Sequence, residues 1–180
     1  MKRVALLALG LVACIPPVKP PVKPNELDQG TFLSAINAKR ATRQAITCTG
    51  GMNLGYPSPQ SFAGPANAYT WNARLAAAAL NNAAFLSSNE VNIATGDPHN
   101  GAGNGDIAAR ALGAGYAFTG IGEAIAAGQV SAEGVADDWQ TSTNGHCNLM
   151  LDSAMTEMGA AMVTSPTGTR YWVMVVGKPQ

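Results

Sequence analysis

Apolar residues follow two different rhythms along this chain. Over residues 26 to 45, Phe32, Leu33 and Ile36 fall on one side of a helical wheel, while Lys39, Arg40 and Arg43 fall elsewhere. That spacing predicts an amphipathic helix. A second, alanine-rich helix is expected over Trp71 to Leu86, with Leu75, Ala79, Asn82 and Phe85 along one side. Asn82 is the odd member of that side. A short helix over Ile107 to Leu112 should end at Gly113. Ser131 is placed to cap another that runs to about Thr141, burying Val135 and Trp139. Near the C-terminus the rhythm changes. "MGAAMVT" and "RYWVMVVG" are β-prone runs joined by "SPTGT", a turn with Pro and Gly, which predicts a hairpin. "GYAFTGIGEAIAAGQ" reads as strand or irregular structure. Helices first and an antiparallel hairpin last argue for an α+β fold.

Two long stretches break this pattern. "CTGGMNLGYPSPQSFAGPAN" and "NIATGDPHNGAGNGD" are crowded with Gly, Pro, Ser and Asn, the chemistry of loops. The N-terminus departs in another way. Lys2 and Arg3 precede an apolar run from Val4 to Val12, the layout of a secretory signal over residues 1–13, too short to span a bilayer. Leu11 and Ala13 before Cys14 resemble a bacterial lipobox, in which the cysteine is acylated and becomes the mature N-terminus. Ordinary secretion without acylation is the alternative. The sequence after Cys14 contains Pro-Val-Lys-Pro twice, which favours an extended polyproline II tether over residues 14–25. Residues 26–180 are then one domain.

Composition narrows the partners. Apolar residues make up 47% of the chain, enough for a sizeable core, and charged residues only 12%. From residue 25 onward there are 7 Lys and Arg against 11 Asp and Glu, a net of −4, with no basic stripe. That excludes the electrostatic footprint of nucleic-acid binding. Three cysteines are an odd set for an exported protein. If Cys14 carries lipid, Cys48 and Cys147 remain, and in an oxidising compartment they are expected to pair. Cys147 would then have no thiolate to offer as a nucleophile.

The chemistry gathers at three residues. His99 lies in "DPHNG" and His146 in "NGHCN", the two histidines of the chain, and Glu123 stands alone among small residues in "GIGEAIAAG". A buried carboxylate needs a partner, and an imidazole is a suitable one. Two His and one Glu could also supply three protein ligands to Zn²⁺ with a fourth position open. No HExxH or paired-Cys spacing fixes such a site, so a hydrogen-bonded trio lining a groove is an equal reading. Trp71, Trp139 and Trp172 are expected in the core. Asn37 and Arg40 are expected to tie their helix to loops.

The order "FLSAINAKRATR", "CTGG", "TWNARLAAAAL", "PHNG", Arg110 with Gly115 and Tyr116, "GIGEAIAAGQ", "ADDWQTS", "GHCNLML", "MTEMGAAMV" and "YWVMVVG" resembles the CAP superfamily. That superfamily holds the cysteine-rich secretory, antigen 5 and pathogenesis-related proteins and their bacterial SCP-like relatives. The resemblance covers residues 28 to 177. It implies an α-β-α sandwich with a small central antiparallel sheet flanked by helices. It also implies a groove lined by His99, Glu123, Ser142 and His146, where Ser142 stands at the place of a second acid. Ala124 replaces an Asn of the family's box. Glu157 could compensate for the lost acid if the fold brings it near, whereas Asp152 reads as a turn or cap residue. A bacterial subset carries a cysteine directly after the second histidine with an early partner, which supports Cys48–Cys147. Family members with the full set bind Zn²⁺ or other divalent cations, with His99 and His146 as the matching ligands here and Glu123 as ligand or support.

Three functions follow as expectations. One is an exported, envelope-anchored and monomeric domain whose groove binds a lipid, sterol-like or peptidoglycan-type glycan ligand without catalysis or a required cofactor. The second is a metal-dependent hydrolase using His99, Glu123 and His146. The third is a structural envelope protein.

Overall fold

The computed structural model describes residues 25–100 and 105–180. The expected signal, Cys14 and the Pro-rich tether as far as residue 24 lie outside the described residues. Helix α1 (Gln29–Ala41) opens at Asp28, whose carboxylate accepts the Thr31 N–H, so it starts later than its apolar pattern suggests. It also ends earlier, because residues 43–45 tighten into a 3₁₀ turn. The loop region that follows contains a small antiparallel pair, β1 (Thr47–Cys48) and β2 (Gln60–Ser61).

Trp71 is not helical. It lies in β3 (Thr70–Trp71), half-buried at the rim of the core, and Asn72 caps α2 (Ala73–Asn89) by accepting from the Arg74 and Leu75 N–H groups. Helix α3 (Ile107–Gly113) precedes β4 (Phe118–Ala127), which resolves the ambiguous "GYAFTGIGEAIAAGQ" as a strand. Helix α4 (Ala132–Thr141) starts at Ser131, whose hydroxyl accepts the Gly134 N–H as expected. A further helix, α5 (His146–Leu151), has no counterpart in the sequence reading. The hairpin is β5 (Glu157–Thr164) and β6 (Arg170–Pro179).

The main sheet has the order β3-β5-β6-β4. Its three long strands are antiparallel, but β3 pairs parallel to β5, so the sheet is mixed rather than purely antiparallel. The connection explains the direction: residues 70–71 enter α2 directly, and the short strand is held by backbone bonds from Thr70 and Asn72 to Thr156 and Met158.

Alternation along β6 builds both faces. Trp172, Met174 and Val176 join the layer of α1, α4 and α5, together with Trp139 and Phe32. Tyr171, Val173 and Val175 join the layer of α2 and α3. The result is the α-β-α sandwich. Gly159 shows how tightly it closes: a Cβ there would stand 2.0 Å from the Ala76 backbone nitrogen of α2. Any larger residue would drive α2 off the sheet.

Loops are tied down by the two residues expected to do so. The Asn37 side chain accepts the Tyr69 N–H and donates to the Tyr69 carbonyl. Arg40 is fully buried, donates to the carbonyls of Asn67, Met150, Asp152 and Met155, and lies 3.6 Å from the Tyr69 ring centroid. Burial pushes its pKa down, but the four carbonyls and the ring face give its charge somewhere to rest.

Candidate functional site

Strand β4 is the outer edge of the sheet, so side chains from both helical layers can meet around it. Glu123 lies in the middle of β4, on the face of Ile125, which packs toward α2 and α3. Its carboxylate is 1% exposed. Three side chains reach it. Nη2 of Arg110, from α3, donates to Oε1 at 2.9 Å and Oε2 at 2.8 Å. Nδ2 of Asn82, from α2, donates to Oε2 at 3.1 Å and also to the Pro98 carbonyl. Nδ1 of His99 lies 2.9 Å from Oε1.

Arg110 closes this unit. Its side chain is 2% exposed, and Nη1 donates to the backbone carbonyls of His99 and Gly105. One guanidinium therefore fixes both the carboxylate that holds the His99 ring and the backbone that carries it. The loop before His99 is set by Asp97, whose carboxylate accepts the N–H groups of His99 and Asn100; those bonds lower its pKa. The His99 ring itself is 43% exposed.

His146 comes from the opposite layer, at the first position of α5, which packs against β4. Its ring is half-buried, 6.1 Å from Trp139 between centroids, and its Nδ1 is 3.0 Å from the Ser142 hydroxyl. Ser142 Oγ also accepts the Asn144 N–H. Burial, and then the proximity of His99, push the His146 pKa down to about 4. Its backbone is positioned by two devices. Cys147 is bonded to Cys48, with Cα atoms 5.6 Å apart, as the cysteine count anticipates. The "CTGG" loop also lies flat against the approach to α5, where a Cβ on Gly50 would sit 1.9 Å from the Thr143 carbonyl oxygen. Beside this approach Met52 and Leu54 are exposed, with a Leu54 methyl 2.6 Å from where a Gly145 Cβ would stand.

The sequence thus named His99, Glu123, Ser142 and His146, and the fold pairs them as His99–Glu123 and Ser142–His146. It named Arg110 only as part of a family motif and Asn82 only as the odd residue of a helix face, and gave neither a role. The available signal was a polar residue on an otherwise apolar helix face, noticed for Asn82 and unused for Arg110. Glu157 does not join the group; it accepts from Asn72 Nδ2 and lies near the Tyr116 hydroxyl, whose pKa is raised by burial and by that carboxylate. Asp152 is the turn residue expected, ending α5 and accepting the Ala154 N–H.

The zinc reading meets this geometry poorly. Both Glu123 oxygens already accept from Arg110, Asn82 and His99, so Glu123 is a supporting residue and not a free ligand. Among the described residues no three His, Cys, Asp or Glu side chains are grouped to hold a metal. One ring nitrogen on each of His99 and His146 is what remains, fewer than the three protein ligands of a catalytic zinc site.

Comparisons with known proteins agree with the fold. In structure the chain is similar to an outer surface protein of Borrelia burgdorferi, with a TM-score of 0.59 and 15% identity over 86% of this chain and 97% of that one. It is similar to a cysteine-rich secretory protein of Staphylococcus aureus, with a TM-score of 0.53 and 15% identity, over 88% of this chain but 40% of that one. An extracellular SCP-domain protein of Bacillus anthracis matches with a TM-score of 0.50 and 20% identity, over 63% of this chain and 34% of its own. No curated protein matches in sequence. The family model for the cysteine-rich secretory protein family matches residues 33–176, most of the sandwich and all four residues named above, and the chain belongs to the CAP family.

Proposed function

We propose that this chain is an exported, non-catalytic binding domain of the cell envelope, held there through Cys14, and that its ligand sits against His99 and His146. The observation that carries this reading is the state of Glu123. A carboxylate whose oxygens meet Arg110 twice, Asn82 once and His99 once has no spare lone-pair direction for a substrate proton or a metal, so it serves to orient the half-exposed His99 ring. His146, neutral above about pH 4, offers no charge either. What reaches solvent is two imidazole edges, with the exposed apolar side chain of Leu54 close to the His146 side. That combination suits a ligand with an apolar body and a neutral polar group, such as a lipid, a sterol-like molecule or an envelope glycan. Export is supported by the Cys48–Cys147 disulfide and by similarity to outer-surface and extracellular proteins.

Untargeted mass spectrometry of small molecules extracted from the purified chain tests the reading. Enrichment of one lipid or glycan class in the wild type, lost in His99→Ala and His146→Ala, is expected. If both variants retain the same extract as the wild type, the histidine site is not where ligand binds. Near-stoichiometric zinc in the wild type, lost with either histidine, would favour the hydrolase instead.

A further inference from the structure

Hydrogen-bond accounting around the two imidazoles defines the ligand more closely. The Glu123 carboxylate receives N–H donors from Arg110 and Asn82 and acts there as an acceptor. Its contact with His99 at 2.9 Å therefore needs a donor from the ring. In its neutral form His99 carries the proton on Nδ1, and its Nε2 is a lone-pair acceptor. At His146 the bookkeeping runs the other way. Ser142 Oγ accepts the Asn144 N–H at 3.1 Å, leaving one lone pair and one hydrogen. If His146 Nδ1 held the proton, Oγ would accept twice and its own hydrogen would have only solvent to bond. If the hydroxyl donates to Nδ1, at 3.0 Å, every group is used. His146 then carries its proton on Nε2, as a donor.

We infer that the two histidines are held in opposite tautomers, His99 presenting an acceptor and His146 a donor, and that neutral hydroxyl groups on the ligand complement them. A hydroxyl both donates and accepts, and so complements either ring. The Arg110–Glu123 pair adds no net charge, so neither an anion nor a cation is favoured. A metal held by His146 Nε2 would require the ring to move its proton to Nδ1, leaving the Ser142 hydrogen only solvent to bond. Ser142 is thus a positioning residue that acts through His146. This inference rests on the binding reading above and names the group recognised. A sugar and a long-chain alcohol or sterol share that chemistry.

The test is long-range ¹H–¹⁵N correlation NMR on the full chain labelled at its two histidines, assigned with His146→Gln, at pH 7.5. Nδ1–H at His99 and Nε2–H at His146 are expected. In Ser142→Ala the His146 nitrogens should move toward the averaged positions of mixed tautomers while His99 stays unchanged. Like tautomers in the wild type, a doubly protonated ring, or no response of His146 in Ser142→Ala overturns the inference. Chitotetraose and hexadecanol are then added separately, with hexadecane as the control lacking a hydroxyl. A shift of both Nε2 signals with one hydroxyl probe and none with hexadecane is expected, and the probe that acts identifies the source. Opposite tautomers with neither probe moving Nε2 overturn the hydroxyl assignment, while the extraction experiment separately decides whether the chain binds a ligand at all.

Discussion

The two histidines of the proposed site, His99 and His146, are held by opposite means. On the α2–α3 side the anchoring is polar: a buried carboxylate, a buried guanidinium and an amide, all mutually bonded. On the α5 side it is covalent and steric, with a disulfide directly after His146 and a glycine loop pressed against the backbone before it. The difference follows from the elements involved. The 17-residue α2 and the seven-residue α3 bring Asn82 and Arg110 onto a buried carboxylate, whereas the six-residue α5 carries Cys147 into the disulfide.

Breaking the covalent side should have the largest effect. The disulfide spans 99 positions, and closing a loop of that size restricts the unfolded chain by about 4–5 kcal/mol. Cys48→Ala with Cys147→Ala should lower the urea unfolding free energy by that order, and an unchanged midpoint would show that the packed loops suffice. On the polar side, Arg110→Met leaves Glu123 buried without its cation, a change that costs roughly 3–5 kcal/mol. Adding Glu123→Gln to Arg110→Met should recover most of the loss, because the unpaired charge is gone. If the double variant is no better than the single one, the pair contributes by shape and not by charge.

This asymmetry also decides how much could be seen in the sequence. Alternation in "RYWVMVVG" made the hairpin legible, because Trp172 and Val173 must face opposite layers. Ser131 announced α4 through its cap. Helix α5 was not legible, since Cys147 to Leu151 are all buried and leave no amphipathic rhythm to read. Nor was β3, whose two residues are a strand only because β5 lies beside them. Of the site, the imidazoles and the carboxylate were visible as isolated chemistry. Arg110 was not, because its meaning depends on α3 laying it across Glu123 and the His99 carbonyl, a contact between segments with no local pattern.

A smaller effect is expected at Asn82. Asn82→Ala removes a donor from Glu123 and from the Pro98 carbonyl, leaving an acceptor short, at about 1–3 kcal/mol. Because Arg110 still holds the carboxylate, this loss should be less than that of Arg110→Met in the same urea series. An equal loss would mean that the amide, and not the guanidinium, organises the His99 side.

The mildest probe is pH, and it acts on the other side. His146 titrates near pH 4 in the folded protein, against about 6.5 for an unperturbed histidine. Between those values the unfolded chain binds more protons at this residue than the folded chain does. Its contribution to stability is therefore fully present above about pH 6.5 and is lost as pH falls toward 4. The slope cannot exceed one proton, about 1.4 kcal/mol per pH unit. Carboxylates titrate in the same window, so the informative quantity is the difference between the wild type and His146→Gln. The two stability curves should run parallel above pH 7 and converge or cross on acidification, as the wild type loses what the variant never had. Parallel curves down to pH 4 would mean that the ring accepts a proton without leaving its place. The α5 side would then hold His146 by its backbone alone, and the contact with Ser142 would not fix the ring.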